Sequence, residues 1–322
     1  MQEIETLGVL GCGSIGLRHI QNALNLGLKV IVYDATVARM GVAVGKGAIA
    51  SDSRAQLVKM SDAVLIATPS GSHREDVLAA LELNRPILVE KPFVTEITDK
   101  FIEQVDAAEQ RGVLIAAAMN MRFNTCVQAA RTLIDDNRLK GPIWAHFIAA
   151  SYLPGWRPGQ DYRVGYAASS TAGGAIFDFT HEIDLACHLI GAAELKAAFP
   201  RQSGHLQIAS EDIADIVMDH RCGCRSTIHV DYLTRPRRRG FEIAFANGFI
   251  SVDLEKGTIC AYDEYGDRLL DASPPSEHSE TYVAMLENFL AKAVGREGAI
   301  CSAKDALCVS RLAIDARSMH WG

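Results

Sequence analysis

The chain has 322 residues, 48% of them hydrophobic, and a formal charge of −7 from 32 Lys and Arg against 39 Asp and Glu. That length admits two domains, each burying its own core, and the composition excludes disordered and fibrous classes. The acidic balance disfavours a nucleic-acid partner, no apolar run approaches membrane-spanning length, and Met1 leads into acidic residues rather than a basic-then-apolar signal, so no membrane partner and a cytoplasmic location are expected.

The first half alternates strand and helix. Thr6 to Leu10 is a short apolar strand that runs into Gly11-Cys12-Gly13-Ser14-Ile15-Gly16, and helical apolar spacing follows from Ile15 to Leu26, with a stop at Gly27. A second strand, Lys29 to Tyr33, ends at Asp34, eighteen residues beyond Gly16. In a dinucleotide site the first glycine permits the tight turn, the second lets backbone approach a pyrophosphate and the third lets helix and strand pack closely, while the helix N-terminus faces the anion. A carboxylate at Asp34 accepts ribose hydroxyls and repels a 2′-phosphate, so NAD is favoured over NADP; Arg39 is the complication, because it could reach a phosphate.

The next strand, Ala63 to Ala67, ends at Thr68-Pro69-Ser70, and Ser72 to Glu75 has the form of a capping box before an apolar helix from Val77 to Leu83. Pro86 to Glu90 is a strand, Asp99 to Gln110 a helix and Val113 to Ala118 a strand. Such alternation predicts a doubly wound parallel sheet of the α/β Rossmann class, whose ligands lie beyond the carboxyl ends of the strands. The glycine loop, Asp34, Thr68 to Ser72 and Glu90-Lys91-Pro92 all fall there, and Pro92 restrains the backbone that carries Lys91.

After Asn120-Met-Arg122-Phe123 the pattern changes to one helix, Val127 to Ile134, and longer alternating strands at Ile143 to Ala150, Ile213 to His220, Arg225 to Tyr232, Phe241 to Ala246 and Phe249 to Leu254. Asn247-Gly248 is a hairpin signal, and Cys222-Gly-Cys224 reads as a hairpin turn between two of these strands. The eight cysteines have no metal-ligand spacing, so no metal is expected. Two amphipathic helices, Tyr282 to Ala293 and Ala303 to Ala316, close the chain. The expected architecture is a dinucleotide-binding domain over residues 1–121 and, over 122–322, an α+β substrate-binding and oligomerisation domain with a large, mostly antiparallel sheet. One face of that sheet would lack helices, which predicts a homodimer or homotetramer.

Two segments of the second half carry candidate chemistry. Ser151 to Tyr166 has no regular pattern but contains Trp156, Arg157, Tyr162 and Arg163, the aromatic faces and hydrogen-bonders a polyhydroxylated ring needs; a packed structural loop is the alternative. Downstream of Gly173-Gly174, residues Asp178, His181 and Asp184 are three apart and share one face if helical, where an acid and an imidazole can move a proton. The plainer alternative makes Asp178 a helix cap, His181 a core histidine and Asp184 a solvated residue. The basic cluster Arg235 to Arg239 reads as a solvated strand end, with an anion site as the alternative.

Taken together, Gly11 to Gly16, Thr68-Pro69 with His73, Glu90-Lys91-Pro92, Asn120-Met-Arg122-Phe123 and Gly173-Gly174 with Asp178, His181 and Asp184 resemble the Gfo/Idh/MocA oxidoreductase family across essentially the whole chain. The resemblance implies that Lys91 and His181 act at the reacting carbon and that Asp178 binds or orients substrate. It extends the cofactor set from the glycine loop, Asp34 and Arg39 to Thr68, Pro69, Ser70, His73, Glu90, Lys91 and Asn120. The substrate set becomes Lys91, Arg122, Trp156, Arg157, Tyr162, Arg163, Asp178 and His181. Many members space the acid and histidine four apart rather than three; Asp178-Phe-Thr-His181-Glu-Ile-Asp184 with Trp156-Arg-Pro158 and Asp161-Tyr-Arg163 looks like a branch that accompanies surface-sugar pathways. The implied activity is hydride transfer between nicotinamide and a secondary alcohol or ketone of a sugar, cyclitol or sugar nucleotide. A tightly held NAD used in redox-neutral elimination or epimerisation, and a non-catalytic nucleotide-binding sensor, remain the alternatives.

Overall fold

The computed structural model describes residues 3–274 and 277–319; Met1 and Gln2, where the N-terminal reading starts, lie outside them. Contacts divide the chain into two units, one made of residues up to Asn120 together with Tyr282–Ser310, the other of Met121–Thr281 together with residues from Arg311 onward. A single cut between residues 121 and 122 does not describe this. The return of Tyr282–Ser310 to the first unit is marked by a strand of only two residues, too short for its alternation to be read.

The first unit is built on β1 (Thr6–Leu10), β2 (Lys29–Tyr33), β3 (Ile49–Ala50), β4 (Ala63–Ile66), β5 (Ile87–Val89) and β6 (Ile115–Ala117), all parallel, in the order β6-β5-β4-β1-β2-β3. Leu7, Val9 and Leu10 are fully buried, as a central parallel strand covered on both faces requires. The strand order reverses between β1 and β4, so the carboxyl ends of these two strands flank the switch point where ligands of such sheets bind. Helix Ser14–Asn25 buries the stripe Gly16, His19, Ile20 and Ala23.

Two helices, Val37–Val44 and Arg54–Met60, were not anticipated; the second is capped by Ser53, whose side chain accepts from the Gln56 amide. The expected capping box at Ser72 does not form. Ser72 already ends a 3₁₀ turn (Ser70–Ser72) in the right-handed helical region, and its side chain makes no cap bond to helix His73–Leu81.

In the second unit β7 (Pro142–Ala150), β8 (Ala193–Arg201), β9 (Ile213–His220), β10 (Arg225–Asp231), β11 (Arg238–Phe245), β12 (Gly248–Asp253), β13 (Thr258–Asp263) and β14 (Arg268–Ala272) form one sheet in the order β14-β13-β12-β11-β7-β10-β9-β8. Every pairing is antiparallel except β7 with β10. The strand β15 (Cys301–Ser302) adds antiparallel to β6 in the first sheet. Sequence alternation missed β8, whose Glu, Lys and Pro have low strand propensity, and the short β13 and β14.

The Cys222-Gly-Cys224 hairpin is as expected, with Gly223 at φ +91° and its amide donating to the His220 carbonyl. The Asn247-Gly248 signal is shifted. Phe245 pairs with Gly248, so the loop residues are Ala246 and Asn247, and Gly248 is in the strand because a Cβ there would collide with the Tyr262 carbonyl of β13.

One face of this sheet is core, with Phe147 and Phe241 stacked at 5.5 Å and Ile216, Ile228 and Val230 buried beside them. The other face carries exposed Trp144 and Phe199 and the half-buried His146 and His229. His229 faces two carboxylates, Asp215 at 2.7 Å and Asp231 at 3.1 Å. The Asp231 bond, reinforced by Asp215 against the opposing effect of burial, pushes its pKa from 6.5 up to about 9. A folded-state pKa above the unfolded one gives stability that is fully present below pH 6.5 and lost as pH rises through about 9. Urea denaturation across that window should show the wild type losing stability and His229→Gln losing much less; parallel pH profiles would exclude the coupling.

Candidate active site

The glycine loop follows directly from β1. Gly11 sits at φ +93°, and a Cβ there would collide with the backbone of Ala67; a Cβ on Gly16 would collide with the Gly11 carbonyl. Gly13 is different, since a Cβ on it would meet nothing within 4 Å. Gly11 and Gly16 thus serve chain packing, and Gly13 keeps open the space a pyrophosphate would take. The N-terminus of helix Ser14–Asn25 has no acidic residue in its first turn and no side-chain cap, which suits an anion.

Asp34, at the end of β2, accepts from the Cys12 amide at 2.7 Å through Oδ2 and from the Thr36 amide at 2.8 Å through Oδ1. Each carboxylate oxygen retains a second lone pair for a ribose hydroxyl, so the residues present fit a dinucleotide. Ser14 and Arg39 are exposed beside this region and Ile15 is half-buried. Burial first, then the neighbouring Asp34 charge, pushes the Cys12 thiol up to about 11, which makes it inert packing.

Past β4, the Thr68 hydroxyl donates to Asp76 at 2.6 Å, and Arg54 pairs with the other oxygen of this fully buried carboxylate at 2.8 Å. His73 lies between two carbonyls, Pro92 O and Thr68 O, each 2.9 Å from a ring nitrogen. It therefore ties the loop after β4 to the loop after β5. Pro69 is exposed, Ser70 half-buried, and Asn120, three residues past β6, is buried.

Glu90, directly after β5, is buried, with His19 Nε2 at 2.7 Å from Oε1 and the Lys91 amide donating to Oε2 at 3.2 Å. Burial works to raise its pKa, but the His19 bond and charge together with Lys91 outweigh it and hold the carboxyl below its usual range. His19 in turn meets the edge of Tyr282 at 5.5 Å, and the Arg18 guanidinium lies 4.8 Å from the same ring. The Lys91–Pro92 bond is cis, and Lys91 is half-buried.

In the second unit Asp178 and His181 do not share one continuous helix. A short helix, Ala175–Asp178, ends at Phe179 (φ −102°, ψ 29°), and Thr180–Ile190 follows. Asp178 is buried and its Oδ2 accepts from the Tyr232 hydroxyl at 2.6 Å. Tyr232 is fully enclosed, and burial followed by the Asp178 charge puts its pKa well above the usual tyrosine range, so it stays a donor. Trp156 meets the edges of Tyr232 at 5.4 Å and Phe179 at 6.0 Å and donates its indole N–H to Ser151 at 2.8 Å.

Asp184 is not solvated. It is fully buried and held bidentately by Arg122 at 2.9 and 2.6 Å. Arg239 likewise turns inward to Glu182 at 2.7 Å, while Arg237 pairs with Glu255 at 2.9 Å, so the basic cluster is only partly a solvated strand end. On the irregular loop Arg163 pairs with Asp161 at 2.8 Å, Arg157 lies 5.5 Å from the Tyr166 ring and Tyr162 is half-buried.

Sequence reasoning missed His19, Tyr232, Glu211 and Arg317. A signal existed for His19, a polar residue inside the buried stripe of its helix, and none for the others, whose partners are distant in the chain.

A family model described as the oxidoreductase family's NAD-binding Rossmann fold matches residues 6–119, and the Gfo/Idh/MocA C-terminal domain model matches residues 127–251. The chain is 27% identical to a D-apiose dehydrogenase of Paraburkholderia graminis, over 83% of this chain and 72% of that one. It is 26% identical to a 1,5-anhydro-D-fructose reductase of Ensifer adhaerens, over 86% of each. Its fold matches an oxidoreductase from Agrobacterium radiobacter solved with NAD+, L-tartaric acid and magnesium, at a TM-score of 0.83, 20% identity and 98% and 97% coverage. With its glycine loop, anchored acid and open antiparallel sheet, the chain belongs to the Gfo/Idh/MocA family of oxidoreductases and carries that family's NAD-binding Rossmann domain.

Proposed function

We propose that the protein is an NAD-dependent dehydrogenase of a secondary alcohol in a sugar or cyclitol, with Lys91, Asp178 and His181 as its reacting groups. The observation that carries this is how two acids are held: Glu90 is kept ionised against His19 next to Lys91, and Asp178 is held by Tyr232, three residues before His181. Bound NAD supplies the hydride acceptor at nicotinamide C4. His181 takes the hydroxyl proton as general base, Asp178 orients the substrate hydroxyl, and the Lys91 ammonium stabilises developing alkoxide charge; the reverse direction uses the same groups. The sugar class is supported by the aromatic and arginine-bearing loop Ser151 to Tyr166 and by the relatives' substrates, D-apiose and 1,5-anhydro-D-fructose.

No helix among the described residues is long and apolar enough to cross a membrane. All eight cysteines are free thiols, which supports a reducing, cytoplasmic location. We assign the outer face of the β7–β14 sheet, with exposed Trp144 and Phe199, to pairing with a second copy, giving a homodimer or homotetramer.

Calorimetry with NAD and NADP should give tighter NAD binding, weakened about tenfold or more by Asp34→Ala, roughly 1.4 kcal/mol; a folded protein that binds neither nucleotide would overturn the reading. On a sugar alcohol that is turned over, Lys91→Met and His181→Ala should each lower kcat by about 10²–10⁴-fold, and retention within a few-fold would remove the residue from the chemistry. Light scattering should report a dimer or tetramer that Trp144→Glu with Phe199→Glu dissociates; a wild-type monomer would rule the assembly out.

A further inference from the structure

The glycine pair Gly173-Gly174, just before the short helix that ends in Asp178, lets a neighbour come close. What approaches is protein. A Cβ on Gly173 would collide with the carbonyls of Tyr166 and Ala167, and one on Gly174, at φ +106°, would collide with the carboxylate of Glu211. That carboxylate is buried at the start of the short helix that ends in Asp178. Its Oε1 accepts from the Ile176 amide at 3.2 Å, and the Glu211 backbone carbonyl accepts from the Ala175 amide at 3.0 Å. Two of the helix's first amides are thereby satisfied by a residue 35 positions downstream.

The second oxygen of Glu211 is held by Arg317, in the last turn of helix Ala303–Ser318, at 2.9 Å from Nε. The same guanidinium donates to Thr171 O at 3.2 Å and Ser170 O at 3.0 Å and lies 4.5 Å from the ring centroid of Phe177. One side chain thus grips the loop before the helix, the carboxylate at the helix start and a ring inside the helix. Its side chain is 15% exposed and that of Glu211 8%, so the pair acts largely out of water, where charge-assisted bonds hold geometry well.

We propose that Arg317 and Glu211 are positioning residues, a clamp that sets the orientation of helix Ala175–Asp178 and with it the carboxylate of Asp178 and the imidazole of His181. The inference rests on the reading of Asp178 and His181 as reacting groups. Neither clamp residue touches the reacting atoms; they act through the segment they hold. Displacing a reacting group by about 1 Å costs on the order of 10²-fold in rate, so the clamp's effect should appear in kcat and not in nucleotide affinity.

The test compares Arg317→Ala, Arg317→Lys, Glu211→Ala and Glu211→Gln with the wild type, by steady-state kinetics, thermal melting and hydrogen exchange of the peptide covering residues 172–184. Expected is a kcat about 10–100-fold lower in the two alanine variants, KM for NAD within twofold of wild type, and faster exchange confined to that peptide. Arg317→Lys, which keeps the charge, and Glu211→Gln, which keeps an acceptor for the Ile176 amide, should each recover part of kcat. Wild-type kcat in folded Arg317→Ala and Glu211→Ala, with only the melting temperature lowered, would make the pair merely structural and overturn the proposal. If the wild type turned over no sugar alcohol, the catalytic reading would fail by itself, and unchanged exchange in the alanine variants would still overturn the clamp.

Discussion

A carboxylate taken out of water must be given a partner, and this requirement organises the candidate residues within each unit. Removing one member of a buried ion pair costs roughly 3–5 kcal/mol, because the charge left behind stays desolvated. Glu90 is matched by His19, Asp76 by Thr68 and Arg54, Asp184 by Arg122, Glu182 by Arg239 and Glu211 by Arg317. Each partner comes from a different element, so the pairs fix where strand ends and helices meet within their unit. The loops that end β4 and β5 are joined in the same way by His73, through carbonyls instead of acids.

The partners of these acids differ in charge. Arg122 and Arg239 set a full positive charge against Asp184 and Glu182. The bond from Tyr232 to Asp178 brings a neutral hydroxyl whose pKa lies far above neutrality, and it helps fix the position of the carboxylate. Trp156 and Phe179 pack against the tyrosine ring, which keeps that bond out of water. Three acids in seven residues, Asp178, Glu182 and Asp184, thus sit in different electrostatic settings.

Local signals were legible wherever one segment carries its own reason. The glycine loop, Asp34 at the end of β2 and the helices from Ser14, Asp99 and Thr125 could be read because their caps, periods and turns lie within a few residues. What could not be read was set by contacts far apart in sequence. Asn247-Gly248 looked like the centre of a turn, yet Gly248 is required inside β12 by the approach of β13, and that neighbour is invisible from the dipeptide. The Arg122–Asp184 pair joins residues 62 apart, and β8 was hidden by charged and proline residues that its place at a sheet edge tolerates.

The same distinction bears on the three-residue spacing of Asp178 and His181. On an unbroken helix that spacing would put both side chains on neighbouring positions of one face, and a change from four residues to three would rotate one against the other. Phe179 interrupts the helix, so the spacing no longer sets the angle between them. In the clamp proposed above, the first segment is held by Tyr232 at its end and by Glu211 with Arg317 at its start. A count of residues between acid and histidine is then a poor guide to their relative orientation, because His181 stands in the first turn of the next helix, beyond the break at Phe179.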